Sequence, residues 1–187
     1  MKKETAMSIF IRRGRPAPGF TLIEALVVLG IIGIFLVVSY PSVMNTMAVR
    51  NLDNATREIQ TFLQLAKNQA VSTKIVHRVR FWQPSGTEWA YDMERLEADG
   101  TWVKAQAGMP RKAIPAGYNV TITLPSADGG SGYQVVFNPM GLFPEFTTSQ
   151  NTIVLQSPKL DRPNVMDERV LSIFMGGSIH FDRRKSS

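Results

Sequence analysis

The sequence predicts an α+β protein, in which one long N-terminal helix packs on an antiparallel β-sheet domain. Three observations carry that prediction. Residues Phe20 to Tyr40 form a nearly unbroken apolar run, and residues 43–70 place apolar side chains at three- and four-residue steps. After Ser72 the pattern becomes short alternating runs punctuated by Gly, Pro, Asn and Asp. The chain has 187 residues with 44% hydrophobic content and no internal repeat, which suits an anchor followed by one soluble domain.

The apolar run reads FTLIEALVVLGIIGIFLVVSY. As a helix rising about 1.5 Å per residue it spans roughly 31 Å, the thickness of a bilayer's hydrocarbon core. Ahead of it Lys2, Lys3, Arg12, Arg13 and Arg15 oppose one acid, Glu4, so the positive-inside bias keeps residues 1–19 in the cytoplasm and sends the remainder outward. Glu24 stands out, because an ionised side chain costs about 2.5–3.5 kcal/mol at the centre of a membrane helix, and less near its end. It calls for a partner or a short path to water. Gly30 and Gly33 read equally as sites of close helix approach or of flexibility. Pro41 lacks an amide hydrogen and crowds the preceding turn, which predicts a kink or break near the outer interface before the helix resumes. The competing reading is an ordinary signal peptide cleaved near Val37-Val38-Ser39, but the apolar region is long for one and carries a charge.

Residues 41–72 form the amphipathic half. Val43, Met44, Met47, Leu52, Ala55, Ile59, Phe62, Leu63, Ala66 and Ala70 make the stripe expected to be buried against a sheet. Arg50, Asp53, Asn54, Arg57, Glu58, Gln64, Lys67 and Asn68 fall mostly on the other face. Residues 73–187 are the β-rich domain. Strands are predicted at Ile75–Trp82, Trp89–Glu94 and Thr101–Lys104, joined as a meander through Pro84-Ser85-Gly86 and Ala98-Asp99-Gly100. Further strands are predicted at Tyr118–Leu124, Tyr133–Phe137, Thr152–Gln156, Arg169–Met175 and Ser178–Phe181.

A short basic leader, Gly19, an aromatic residue, then Thr21-Leu22-Ile23-Glu24 and about twenty apolar residues resemble the type III signal of type IV pilins and type II secretion pseudopilins. The C-terminal half, with Phe137-Asn138-Pro139-Met140-Gly141 closing a strand and Gly176-Gly177 centring a last hairpin, resembles the GspH/FimT group of minor pseudopilins and minor pilins. Residues from about Gln83 to Gly117 match no motif of the group. The resemblance implies a type IV pilin-like fold, leader cleavage between Gly19 and Phe20, and N-methylation of Phe20. It also implies filament assembly in which Glu24 pairs with the terminal amine of a neighbouring subunit. The implied partners are other major and minor pilins or pseudopilins, the prepilin peptidase and methyltransferase, the inner-membrane assembly platform, inner-membrane lipid before assembly, and secreted cargo. The implied location is the bacterial inner membrane as a single pass, then a periplasmic pseudopilus or an extracellular pilus, with incorporation at or near the tip.

Catalytic chemistry is hard to place in this chain. There is no cysteine, so the exported domain is held without disulfides, and two distant strand histidines, His77 and His180, do not make a metal motif by spacing. No metal, cofactor or catalytic residue is expected, and a membrane-anchored hydrolase has no residue constellation behind it. Glu94, Glu97 and Asp99 read as a solvated hairpin end, and Asp128-Gly129-Gly130-Ser131-Gly132 as a connector without the lysine of a phosphate loop. The net charge of +6 falls to +2 once the leader is removed, with 16 basic against 14 acidic residues. The tail Arg183-Arg184-Lys185, with Arg162 and Arg169 nearby, carries the one competing function, DNA binding for uptake, as in FimT-like pilins. Gly177-Ser178-Ile179-His180 lacks the Gly-Arg-x-Arg arrangement of that branch.

Overall fold

The computed structural model describes residues 19–86, 88–106, 108, 110–127, 132–160 and 165–186. The leader up to residue 18, Asp128 to Ser131 of the glycine-rich connector, and Arg162 therefore lie outside the described residues. A single helix, α1 (Leu22–Thr73), is followed by β1 (His77–Trp82), β2 (Ala90–Leu96), β3 (Trp102–Lys104), β4 (Lys112–Ala113), β5 (Asn119–Thr123), β6 (Tyr133–Phe137), β7 (Thr152–Gln156), β8 (Glu168–Ile173) and β9 (Ile179–Arg184). Of the kink or break expected at Pro41, there is no break: helical structure continues through it. The chain divides into two compact units after Pro41.

In the first unit the helix stands apolar on every side and exposed. Its most apolar stretch is long enough to cross a membrane and has no buried share. A helix apolar on every side calls for apolar surroundings that this unit does not itself supply.

In the second unit the strands form two antiparallel sheets. One has the order β3-β2-β1-β6, with β4 also pairing β2, and the other has the order β5-β7-β8-β9. The β1-β2-β3 meander is as expected, with Val79 opposite Met93 and Glu94 opposite Lys104. β4 is additional to the strands the sequence predicts: two residues, paired to Ala90 and Tyr91, are too short to show alternation. The helix stripe Leu52, Ala55, Ile59, Phe62, Leu63, Ala66 and Ala70 enters one core with Val79, Phe81, Tyr91, Met93, Val135 and Phe137 of the first sheet. Ile153, Leu155, Leu171 and Ile173 of the second sheet join the same core. The edge of the Phe62 ring meets Tyr91 at 5.1 Å between centroids. Val43, Met44 and Met47, expected in the stripe, are exposed instead, since the buried seam begins at Leu52. The buried Thr56 hydroxyl donates to the Leu52 carbonyl at 2.9 Å, so a polar group inside the seam keeps a partner.

Candidate functional site: the helix start and the C-terminal hairpin

Two places gather the residues singled out in the sequence. At the helix start, Phe20 is 80% exposed and Thr21 precedes the first helical residue, Leu22. The Glu24 amide donates to Thr21 Oγ1 at 3.3 Å, and the Ala25 amide to the Thr21 carbonyl at 3.2 Å. Thr21 is thus the N-cap and Glu24 the third residue of the first turn, the Thr-x-x-Glu spacing of a capping box. The Thr21-Leu22-Ile23-Glu24 sequence carries that signal in its spacing. The acid lies where the helix dipole favours a negative group, and among the described residues it makes no ion pair. Gly19, Phe20 and Glu24 lie within about one helical turn of each other.

The C-terminal hairpin is fixed on the opposite side of the sequence by backbone geometry. Gly177 has φ of 67°, and a Cβ there would fall 2.0 Å from the Gly141 carbonyl oxygen. The hairpin turn therefore seats directly on the Phe137-Asn138-Pro139-Met140-Gly141 loop. Asn138 holds that loop, its side-chain oxygen accepting from the Met140 and Leu142 amides at 3.0 Å each. Lys67 of α1 donates to the Gly177 carbonyl at 3.0 Å, and the Phe143 amide donates to the Met175 carbonyl at 2.9 Å. The hairpin, the loop and the helix are one assembly.

Its tail is engaged by carboxylates. Asp53 on α1 accepts from Arg169 Nε and from the Arg183 guanidinium, both at 2.5 Å, and Arg184 pairs with Glu168 at 2.6 Å. Arg169 is buried and also donates to the Met166 and Glu168 carbonyls. Asp53, expected on the polar face, is instead the acid that joins helix to hairpin. Arg57 and Arg183 approach the Phe181 ring at 4.9 and 5.9 Å, and Lys185 is exposed. A phosphate would have to compete with Asp53 for Arg183 and with Glu168 for Arg184.

Asp167 is wholly buried beside the tail; burial alone would raise its pKa, but hydrogen bonds from the Ser186 amide, the Gln156 amide group and the Ser186 hydroxyl hold it below the usual carboxylate range. On the outer face of the first sheet, Arg78 is buried between Glu94, Gln134 and the Trp102 ring. Glu94 is accordingly no part of a solvated hairpin end, because the pleat aims it with Arg78 at the same face; Asp99 is exposed, accepting from Thr101. Neighbouring Asp92 is buried with one oxygen lacking a partner, and burial and then the charge of Glu94 push its pKa up. His77 is buried with Nδ1 on the Ile75 carbonyl, and His180 is exposed against Phe174. Among the described residues no three His, Cys, Asp or Glu side chains are grouped to hold a metal.

Comparison with known proteins agrees with this arrangement. Residues 15–40 match the prokaryotic N-terminal methylation motif, and residues 55–177 match the type II transport protein GspH family. No sequence in a search of curated proteins matches the chain. Among solved structures, the minor pseudopilin EpsH from the type 2 secretion system of Vibrio cholerae aligns at a TM-score of 0.51 with 14% identity, covering 71% of this chain and 97% of that one. The type IV minor pilin FimU of Pseudomonas aeruginosa aligns at 0.44 with 17% identity, covering 71% and 89%. With the methylation motif on an exposed apolar helix and the GspH match over most of the β domain, the chain belongs to the GspH family of type II transport proteins.

Proposed function

We propose that this chain is a non-enzymatic minor subunit of a secretion pseudopilus or type IV pilus, anchored N-in and C-out in the inner membrane until assembly. The prepilin peptidase cuts between Gly19 and Phe20, Phe20 is methylated, and the subunit enters the filament at or near its tip. The observation that carries this reading is Glu24: an acid on the first turn of a wholly exposed apolar helix, capped by Thr21 but without an ion pair among the described residues. In the low dielectric of a helix bundle two opposite charges attract strongly, whereas either alone is a costly buried ion. An α-amine freed on Phe20 of a neighbouring subunit neutralises Glu24 and favours one stagger between helices. The β domain, fastened to the second half of α1, then meets other minor subunits or cargo.

The N-terminal mass of protein from cells with an active prepilin peptidase tests the reading. A chain that begins at methylated Phe20 supports it; one that retains residues 1–19, or begins at Tyr40, contradicts it. The DNA-uptake alternative draws on the basic residues around Phe181. Its test is a mobility shift at two salt concentrations: a shift at low salt that is lost on Arg183→Ala with Arg184→Ala favours uptake, and no shift at low salt eliminates it.

A further inference from the structure

Within the second unit β9 is the last strand of its sheet, paired to β8 on one side and to no strand on the other among the described residues. At the mouth of the hairpin the Phe174 amide donates to the Ser178 carbonyl at 3.0 Å, so the hydrogen-bonded pairs of the antiparallel ladder continue at Ser172 with His180 and at Val170 with Asp182. The alternate residues Ile179, Phe181 and Arg183 therefore turn their main-chain N–H and C=O groups away from β8. Gln60 of α1 meets the first of them, its side-chain amide donating to the Ile179 carbonyl at 3.2 Å. Beyond that contact the main-chain groups of Phe181 and Arg183 have no partner among the described residues. The register runs without a bulge from Ile179 to Arg184, and no proline blunts the strand. Charge along this edge is lopsided on the side that faces α1. Arg57 lies 4.9 Å over the Phe181 ring without an ion pair among the described residues, and the single Asp53 carboxylate is shared by Arg169 and Arg183.

We infer that the β9 edge accepts an extended acidic segment of another filament subunit, which adds a strand to the sheet at Phe181 and Arg183. The inference rests on the proposed role as a filament subunit: the edge runs beside the docked half of α1, the side on which a neighbour packed against that helix lies. Main-chain pairing supplies the attraction, and the side chains on the helix-facing side supply the choice. An acid opposite Phe181 comes beside Arg57, and an acid two residues away comes beside Arg183, so the partner carries Asp or Glu at alternate positions. A basic strand would meet the same two arginines and is refused, and a second β9 edge would bring its own Arg183 to that side. Cations on an exposed edge thus guard it against indiscriminate pairing while admitting one class of strand.

Asp182 lies on the outer face of β9 between the two open residues. Full-length protein with Asp182→p-benzoylphenylalanine is expressed in cells that assemble the filament and irradiated, and the cross-linked peptides are mapped by mass spectrometry. The expected product joins position 182 to a segment of another subunit with Asp or Glu at alternate positions. No product from a subunit recovered in filament fractions overturns the inference and leaves the proposed function standing; a subunit absent from those fractions overturns that function and the inference with it. A product on a second copy of this chain, on secreted cargo or on a segment without alternate acids overturns the inference, as does one lost to nuclease, which assigns the edge to DNA. Arg183→Pro removes the outward amide hydrogen, which the ladder to β8 does not use, whereas Arg183→Thr removes the same charge and keeps the amide. Per folded subunit, the product is expected to fall at least about tenfold with proline and no more than about threefold with threonine. Equal losses, or no loss with proline, overturn the strand pairing. If Arg183→Pro does not fold, proline is placed instead in the mapped acidic segment, opposite Phe181, with the same tenfold loss expected and an unchanged yield overturning the inference.

Discussion

Asp53 and Glu24, one acid from each half of α1, are treated differently. Asp53, in the docked half, receives two arginines from its own chain and fastens helix to hairpin. Glu24, in the exposed half, has its backbone amide capped by the Thr21 hydroxyl, while its carboxylate makes no ion pair among the described residues. Side chains follow the same division: Leu63 is fully buried in the fold, while Leu29 is 69% exposed. One half is completed by the chain itself, and the other presents both its apolar surface and its charge to something outside the chain. A helix that folds fully in one half and leaves the other unsatisfied is suited to an anchor that later becomes a filament core.

Breaking the docked half should be costly to the monomer. Asp53→Ala leaves the buried Arg169 without its carboxylate and is expected to destabilise the globular unit by about 4 kcal/mol, as measured by chemical denaturation in detergent. Leu63→Ala, which opens a cavity in the core, is expected to cost about 3 kcal/mol by the same measurement. Leu29→Ala sharpens the contrast: with its side chain exposed in the monomer, it should change that stability by no more than about 0.5 kcal/mol.

A third acid gives the smallest effect. Asp92 is held on the first sheet's outer face between Arg78 and Arg80 of β1, Glu94 of β2 and Lys104 of β3, and its pKa is raised by burial first and by Glu94 second. A carboxyl whose pKa is raised by folding contributes stability below its unfolded pKa and loses that contribution as pH rises through the folded value. Asp92→Asn should therefore flatten the fall in stability as pH rises above the ordinary aspartate range, read from denaturation midpoints at several pH values. An unchanged pH profile would show that Asp92 does not cause the fall.

Much of this was legible in the sequence, and the exceptions have physical causes. The apolar run, the stripe from Leu52 to Ala70 and the longer strands announced themselves by period, because each buries one face over many residues. The upper stripe failed at Val43, Met44 and Met47, since periodicity marks an apolar face but not what covers it. β4 is too short for a pattern, and the separation of strands into two sheets depends on long-range pairing that leaves no local mark. Asp53 and Arg169 were hidden for the same reason, being 116 residues apart in sequence. At the helix start the motif names Gly19, Phe20 and Glu24, and the Thr21-x-x-Glu24 spacing marks the cap that the hydrogen bond shows.

The most direct test is Glu24→Gln, which keeps the side chain's size and removes its charge. Pilus or pseudopilus fractions from cells expressing the variant, compared with wild type for the amount of this subunit incorporated, give the measurement. The account predicts that incorporation falls at least about tenfold, the scale of a lost ion pair in a low-dielectric bundle, while membrane insertion and the fold of the β domain are unchanged. Incorporation at the wild-type level would contradict it.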